Sequence, residues 1–223
     1  MYFKNHAFRT FYRLVVLCVC QFSLTLQFMN IASVGGLKRV LCYFTPLVYT
    51  LGFLYFFYLI CSQKGKEHPM LKGTVLVSIF AAGLAVPFLR GSGFFISVGT
   101  PHYGLFTTKT LEFIAYALFP ILTLFDYLLF VPKGQYKALY PLGGLLFPAG
   151  YGLFLFLRAT FGKLHFYYND VKSAYPYAFL DSKISGQNTV ILSVVGIFVG
   201  LLALGYLFYL LDWSLGKLRG KRK

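Results

Sequence analysis

Charge is what this chain has least of. Only 12% of its 223 residues are charged, and six acidic residues stand against 21 Lys and Arg. A water-soluble domain must maintain a polar surface, so 58% hydrophobic residues and a mean hydropathy of +0.68 exclude an ordinary soluble globular class. Cysteine is sparse too. Cys18, Cys20, Cys42 and Cys61 all fall in apolar stretches, with no pair in a loop and no Cys/His spacing of a zinc site, and read as small core residues. His6, His68, His102 and His165 stand in termini or loops at no metal spacing, so neither a metal nor a cofactor is expected. P-loop, nucleophile-elbow and HExxH motifs are missing, as are internal repeats and low-complexity tracts.

What the chain does have is long apolar runs. A hydrocarbon core of about 30 Å is crossed by about 20 helical residues rising about 1.5 Å each. Six stretches meet that requirement: Leu14 to Ser33, Val40 to Cys61, Gly73 to Leu89, Thr110 to Val131, Ala138 to Leu157 and Thr189 to Leu211. Lipid offers backbone groups no hydrogen bonds, so each should be helical whatever its Val, Ile and Phe content. The expected class is an all-α membrane protein, one six-helix bundle over residues 1–223. The start imitates a secretory signal, with Lys4, Arg9 and Arg13 before an apolar run, but that run is too long for a signal core.

A net charge of +15 suits a nucleic-acid partner by number alone, but the cations lie between the apolar runs and at both ends. Anionic lipid is the expected partner, and nucleic acid is not. The tail Lys217, Arg219, Lys221, Arg222 and Lys223 directly follows the last apolar run, where each charge near an anionic surface contributes about 1 kcal/mol. With the amino terminus inside, thirteen cations are cytoplasmic: Lys4, Arg9, Arg13, Lys64, Lys66, Lys72, Lys133, Lys137 and the five of the tail. Eight fall outside: Lys38, Arg39, Arg90, Lys109, Arg158, Lys163, Lys172 and Lys183. The positive-inside rule therefore puts both termini in the cytoplasm of a cell-membrane protein.

In the second and fourth spans a proline frees the carbonyl four residues earlier: Pro46 frees Cys42, and Pro120 frees Tyr116. Thr45 and Tyr116 then lie roughly 8–9 Å below the outer surface and could face one outward-opening cavity, or each proline could merely bend its helix. Asp126, roughly 7–8 Å from the inner surface, should face protein and pair with a cation or a tyrosine hydroxyl; a polar lock and proton or ion handling are both open. The third span is interrupted by Pro87, Arg90, Gly91 and Gly93, and Arg90 could hold a carboxylate or phosphate headgroup or simply snorkel. Glu112 reads as interfacial. Gly196 and Gly200 form a GxxxG pair, and Gly143, Gly144, Gly150 and Gly152 recur in the fifth span, both signals for close helix packing. The connection Ala159 to Asn188 is too aromatic for a solvated linker and should cover the outer mouth of the bundle.

Phe44-Thr45, Phe119-Pro120, Phe125-Asp126-Tyr127-Leu128-Leu129-Phe130, Tyr140-Pro141 and the heptapeptide Tyr175-Pro176-Tyr177-Ala178-Phe179-Leu180-Asp181 together resemble the bacterial Pr-six-Pr integral membrane proteins. That likeness covers roughly Lys38 to Asn188, and the chain is more distantly similar to the eukaryotic androgen-induced-gene-one (FAR-seventeen-a) proteins. That resemblance implies six spans with cytoplasmic termini and a hydrolase of fatty-acid esters of hydroxy fatty acids, working through a threonine and a histidine. The threonine maps onto Thr45, but Tyr116 and Ala115 stand where the histidine is expected. Tyr49 replaces an asparagine, and Asp126-Tyr127 replaces Asp-Trp. A threonine hydroxyl attacks esters poorly without a base, whose help is worth about 10²–10⁴-fold.

The expected function is thus binding of a lipid or fatty-acyl ligand in an outward-facing cavity by a catalytically impaired relative. Its candidate ligand residues are Thr45, Tyr49, Arg90, Tyr116, Asp126, Tyr175, Tyr177 and Asp181. An active hydrolase using Thr45, with His102 dipping in as base, is the alternative. A small transporter or assembly partner using Asp126 is the third reading.

Overall fold

The computed structural model describes residues 5–35, 37–62, 68–89, 113–168 and 171–220. The chain is mostly helical. Its elements are α1 (His6–Gly35), α2 (Leu37–Val40), α3 (Phe44–Cys61) and α4 (Pro69–Leu89). A π-helical turn (Ile114–Leu118) then runs into α5 (Phe119–Phe130), followed by α6 (Tyr140–Gly143) and α7 (Leu146–Phe161). Next come a hairpin of β1 (Phe166–Tyr168) and β2 (Val171–Ser173), a 3-10 turn (Ala178–Leu180), α8 (Ser182–Ser185) and α9 (Gln187–Gly220). The hairpin is antiparallel, with Phe166 opposite Ser173 and Tyr168 opposite Val171.

Four stretches are long and apolar enough to cross a membrane: His6–Met29, Phe44–Cys61, Tyr140–Phe161 and Gln187–Leu218. Pro69–Gly83 and Tyr116–Phe130 are shorter apolar helices. The outward faces are greasy. Leu192 is 72% exposed and Phe161 81%, which suits hydrocarbon far better than water.

Inside the bundle, α1 packs along α3, the π turn and α5, while α4 packs against α3, α5, α6 and α9. One core cluster joins Val16, Cys20, Tyr49, Phe56, Ile79 and Phe119; a second joins Leu76, Val77, Tyr127, Leu201 and Phe208. Two glycines set the closest approaches. A Cβ on Gly52 would sit 2.8 Å from the Phe119 ring, and one on Gly83 would meet Pro120 Cγ and the Tyr116 carbonyl at 2.7 Å.

The prolines behave differently from one another. Pro120 lies directly after the π turn, whose wider spacing absorbs the missing N–H and the ring's clash. Pro46, expected inside a span, is in the first turn of α3, because that helix begins at Phe44 rather than Val40. Its missing N–H would have been an orphan there anyway. The Cys42 carbonyl accepts instead from the Tyr151 hydroxyl at 2.7 Å.

Other expectations are corrected as well. The fifth span breaks at Gly144 and Leu145 between α6 and α7, and α1 and α9 run well past the first and sixth apolar stretches. Gly143 and Gly144 do pack closely, against Met70 and Val77, but a Cβ on Gly150, Gly152, Gly196 or Gly200 would meet nothing within 4 Å. The GxxxG pair therefore packs against none of the described residues. Cys20 and Cys42 are buried as expected, whereas Cys18 and Cys61 are exposed.

Candidate functional site

Side-chain contacts fix which helix ends lie together. Arg13 near the start of α1, Lys72 near the start of α4 and Asp126 near the end of α5 meet in one cluster, and Asp212 near the end of α9 bonds the neighbouring Tyr127. This is the tail end of the bundle. The hairpin, Arg39, Phe44 and Arg158 mark the opposite, hairpin end.

At the hairpin end a cavity of about 250 Å³ opens between α7 and α9. Tyr151, Gly152 and Leu155 form one wall and Val194, Ile197 and Leu201 the other; Phe44 and Ala81 close the back, and Tyr177, Phe179 and Leu180 roof it. The two walls hardly touch each other, because α9 leans on α4 and α6 instead. Gly152 leaves the space open: a Cβ there would meet no atom of the described residues within 4 Å.

The roof is fastened by hydrogen bonds. The Phe44 N–H, one of the orphan donors at the start of α3, donates to the Tyr177 hydroxyl at 2.9 Å. Tyr177 also bonds Tyr151, which donates to Cys42. Burial pushes the Tyr177 hydroxyl above the usual phenol range, and its hydrogen bonds with Tyr151 and Phe44 only partly offset it, so it stays neutral. Tyr43 and Phe179 pack on its ring, with centroids at 5.7 and 5.5 Å. Asp181 caps α8 by accepting from the Lys183 N–H at 2.9 Å, and it accepts from the Ser173 hydroxyl at 2.6 Å. Ser173 Oγ in turn accepts from the Tyr175 N–H at 3.0 Å. The aromatic connection thus covers this mouth of the bundle, as its composition implied, with Tyr177 lining the cavity and Tyr175 and Asp181 shaping the loop behind it.

The tail end is held by buried charge pairs. Asp126, fully buried, accepts from Arg13 Nε at 2.9 Å through Oδ1 and from the Lys72 ammonium through Oδ2. Arg13 and Lys72 are themselves 4% and 1% exposed, and Lys72 sits over the rings of Tyr55 and Phe56 at 5.3 and 5.5 Å. Asp126 faces protein and pairs with cations, in line with its depth. Arg13 and Lys72 are internal groups, however, not the loop cations counted from the sequence. Beside them the Tyr127 hydroxyl donates to Asp212 at 2.7 Å, and the Tyr136 N–H donates to its other oxygen at 2.9 Å. The Lys133 ammonium lies 3.4 Å from the Tyr127 ring centre and donates to the carbonyls of Tyr127 and Val131.

Thr45, Tyr49 and Tyr116 are all buried, but none belongs to the cavity wall. Tyr49 packs on Phe119 at 4.9 Å with its hydroxyl lacking a hydrogen-bond partner among the described residues, and Tyr116 occupies the π turn with Ala115. Arg90, Glu112 and His102 lie outside the described residues, as does the expected bend beyond Arg90. Among the described residues no group of three or more His, Cys, Asp or Glu could hold a metal ion. Sequence reasoning missed Tyr151, Gly152 as a cavity-lining residue, and the walls of α9. Ordinary apolar residues lining a void carry no local signal, though Tyr151 falls between two glycines. Comparisons with family models, with curated proteins and with solved structures find no match.

Proposed function

We propose that this chain is a six-span cell-membrane protein with cytoplasmic termini that holds an acyl chain from the surrounding lipid in the cavity between α7 and α9. The observation that carries this reading is the cavity itself: apolar, at the level of exposed hydrophobic helices, with the polar groups of its wall already hydrogen bonded to one another. An acyl chain needs no hydrogen bonds and gains from leaving no void, whereas a polar ligand would have to break the Tyr177 and Tyr151 bonds. Taking roughly 30 Å³ per small group, the space takes about eight methylenes, the end of a single chain. The hairpin end then faces outward and the cationic tail end faces the cytoplasm.

Under the resemblance to the Pr-six-Pr and androgen-induced-gene-one proteins, the chain is an impaired relative that keeps binding and has lost the base. A phenol, the group that Tyr116 supplies where the base is expected, is a poor proton acceptor for a threonine hydroxyl. Asp126, held between two cations, acts as a clamp between helices.

Filling the cavity is the direct test. Gly152→Trp should abolish binding of a fluorescent acyl probe to the purified protein while leaving its folded yield unchanged; undiminished binding would overturn the reading. Incubation with hydroxy-fatty-acid esters should give no turnover, and turnover that vanishes in Thr45→Ala would replace it with an active hydrolase. Cysteines at Lys172 and Lys183 should react with an impermeant reagent added outside intact cells; protection there would invert the topology.

A further inference from the structure

From the surroundings of Arg158 we infer that the ligand carries an anionic head, a carboxylate or phosphate on a single chain, bound by the Arg158 guanidinium at the outer rim of the cavity. This rests on the acyl-chain reading and names the class of ligand.

Arg158 follows Leu155 of the cavity wall by three residues, roughly 4.5 Å farther along α7, on the stripe that begins at Tyr151. Its guanidinium reaches Cys42 Sγ at 3.5 Å, the residue whose carbonyl Tyr151 bonds from the cavity side. Phe166 supports it from the hairpin with the ring centre at 5.0 Å, and Arg39 lies 5.5 Å from that same centre. Two guanidinium groups therefore gather at this mouth.

The donors of Arg158 are only partly used. One bonds the Ala174 carbonyl and one the Cys42 sulfur, while Nε is buried with no hydrogen-bond partner among the described residues. Arginine has five N–H donors, and Nε with its neighbouring terminal nitrogen forms the side-on fork that a carboxylate or phosphate accepts in two parallel bonds. Among the described residues no carboxylate fills that fork. Asp126 and Asp212 are at the opposite end, and Asp181 is committed to Ser173 and the Lys183 N–H. A buried donor left unmet is unfavourable, and here a single-chain anion can satisfy it while its tail fills the void.

Three probes with one chain length separate the possibilities: dodecanoate, dodecyl phosphate and dodecanol, measured by displacement of a fluorescent acyl probe at neutral pH. The wild type should bind the two anions about 10-fold or more tighter than the alcohol, as charge-assisted bonds require. Arg158→Gln should remove that preference and leave dodecanol within about twofold, while Arg158→Lys should keep part of it by charge alone. In the wild type, protonating dodecanoate at low pH should bring its affinity down to that of the alcohol, a test that needs no variant. Equal affinities for all three probes, or an equal loss of all three in Arg158→Gln, would overturn the anionic head while leaving the acyl cavity standing. Binding of none of them would overturn the cavity reading and this inference with it.

Discussion

The two ends of the bundle treat buried polarity in opposite ways. At the tail end Arg13, Lys72 and Asp126 satisfy one another, and Tyr127 and Asp212 do the same beside them, so the space between the helices is filled by charge pairs. At the hairpin end neutral tyrosines do the bonding around the gap, Tyr151 with Cys42 and Tyr177 with Phe44 and Tyr151, and a void stays open between α7 and α9. A closed ion cluster holds helices in fixed register; a roofed apolar void can exchange what fills it. On the proposed reading, the difference divides the molecule into a clamp and a receptacle.

The strongest way to break this division is to attack the clamp. Asp126→Ala leaves two buried cations without their counter-charge, and loss of one partner of a buried pair costs about 3–5 kcal/mol. Folded yield and thermal unfolding in detergent should fall sharply. Replacing all three at once, Arg13→Met, Lys72→Met and Asp126→Leu, should recover most of that stability, because an apolar set of similar volume needs no charge balance. If Asp126→Ala were as stable as the wild type, the cluster would not be a clamp.

Gly83→Ala tests the contact that joins the clamp's helices. The new methyl would meet Pro120 and the Tyr116 carbonyl, part of it backbone, so about 1–3 kcal/mol of stability should be lost in the same unfolding measurement. Tyr177→Phe probes the receptacle. It strips the acceptor from the Phe44 N–H and should cost about 1–3 kcal/mol, with faster amide exchange confined to the start of α3 and the roof. The smallest effect belongs to Gly196→Ala and Gly200→Ala. With no neighbour within 4 Å, these should be neutral or stabilise by up to about 1 kcal/mol through helix propensity, and a clear loss in bilayers would mean that another chain packs there.

Much of the scaffold could be read from residues alone because hydropathy is a long-range, redundant signal: a helix boundary can shift by several residues without losing the run. Polar partners are not redundant in this way. Asp126 stood out because a carboxylate in an apolar run is expensive, but Arg13 and Lys72 looked like loop cations, since a long cationic side chain near a span's end usually reaches water. Asp212 drew no notice because it follows the last apolar stretch, whereas α9 continues to Gly220. Tyr177 was legible through its aromatic surroundings in a loop. The cavity was not, since Val194, Leu155 and Leu201 are ordinary span residues and a void is defined by what fails to touch. Thr45 and Tyr116 were singled out as a pair by their prolines, yet Pro46 only begins a helix while Pro120 shapes a π turn.

The acyl-chain claim is tested most directly by photolabelling in bilayers with a lipid bearing a diazirine near the end of one chain. Cross-links should concentrate on Leu155, Phe198 and Leu201 and disappear in Gly152→Trp. Labels spread evenly over lipid-facing positions such as Leu192 and Phe161, and unchanged by that substitution, would contradict the account.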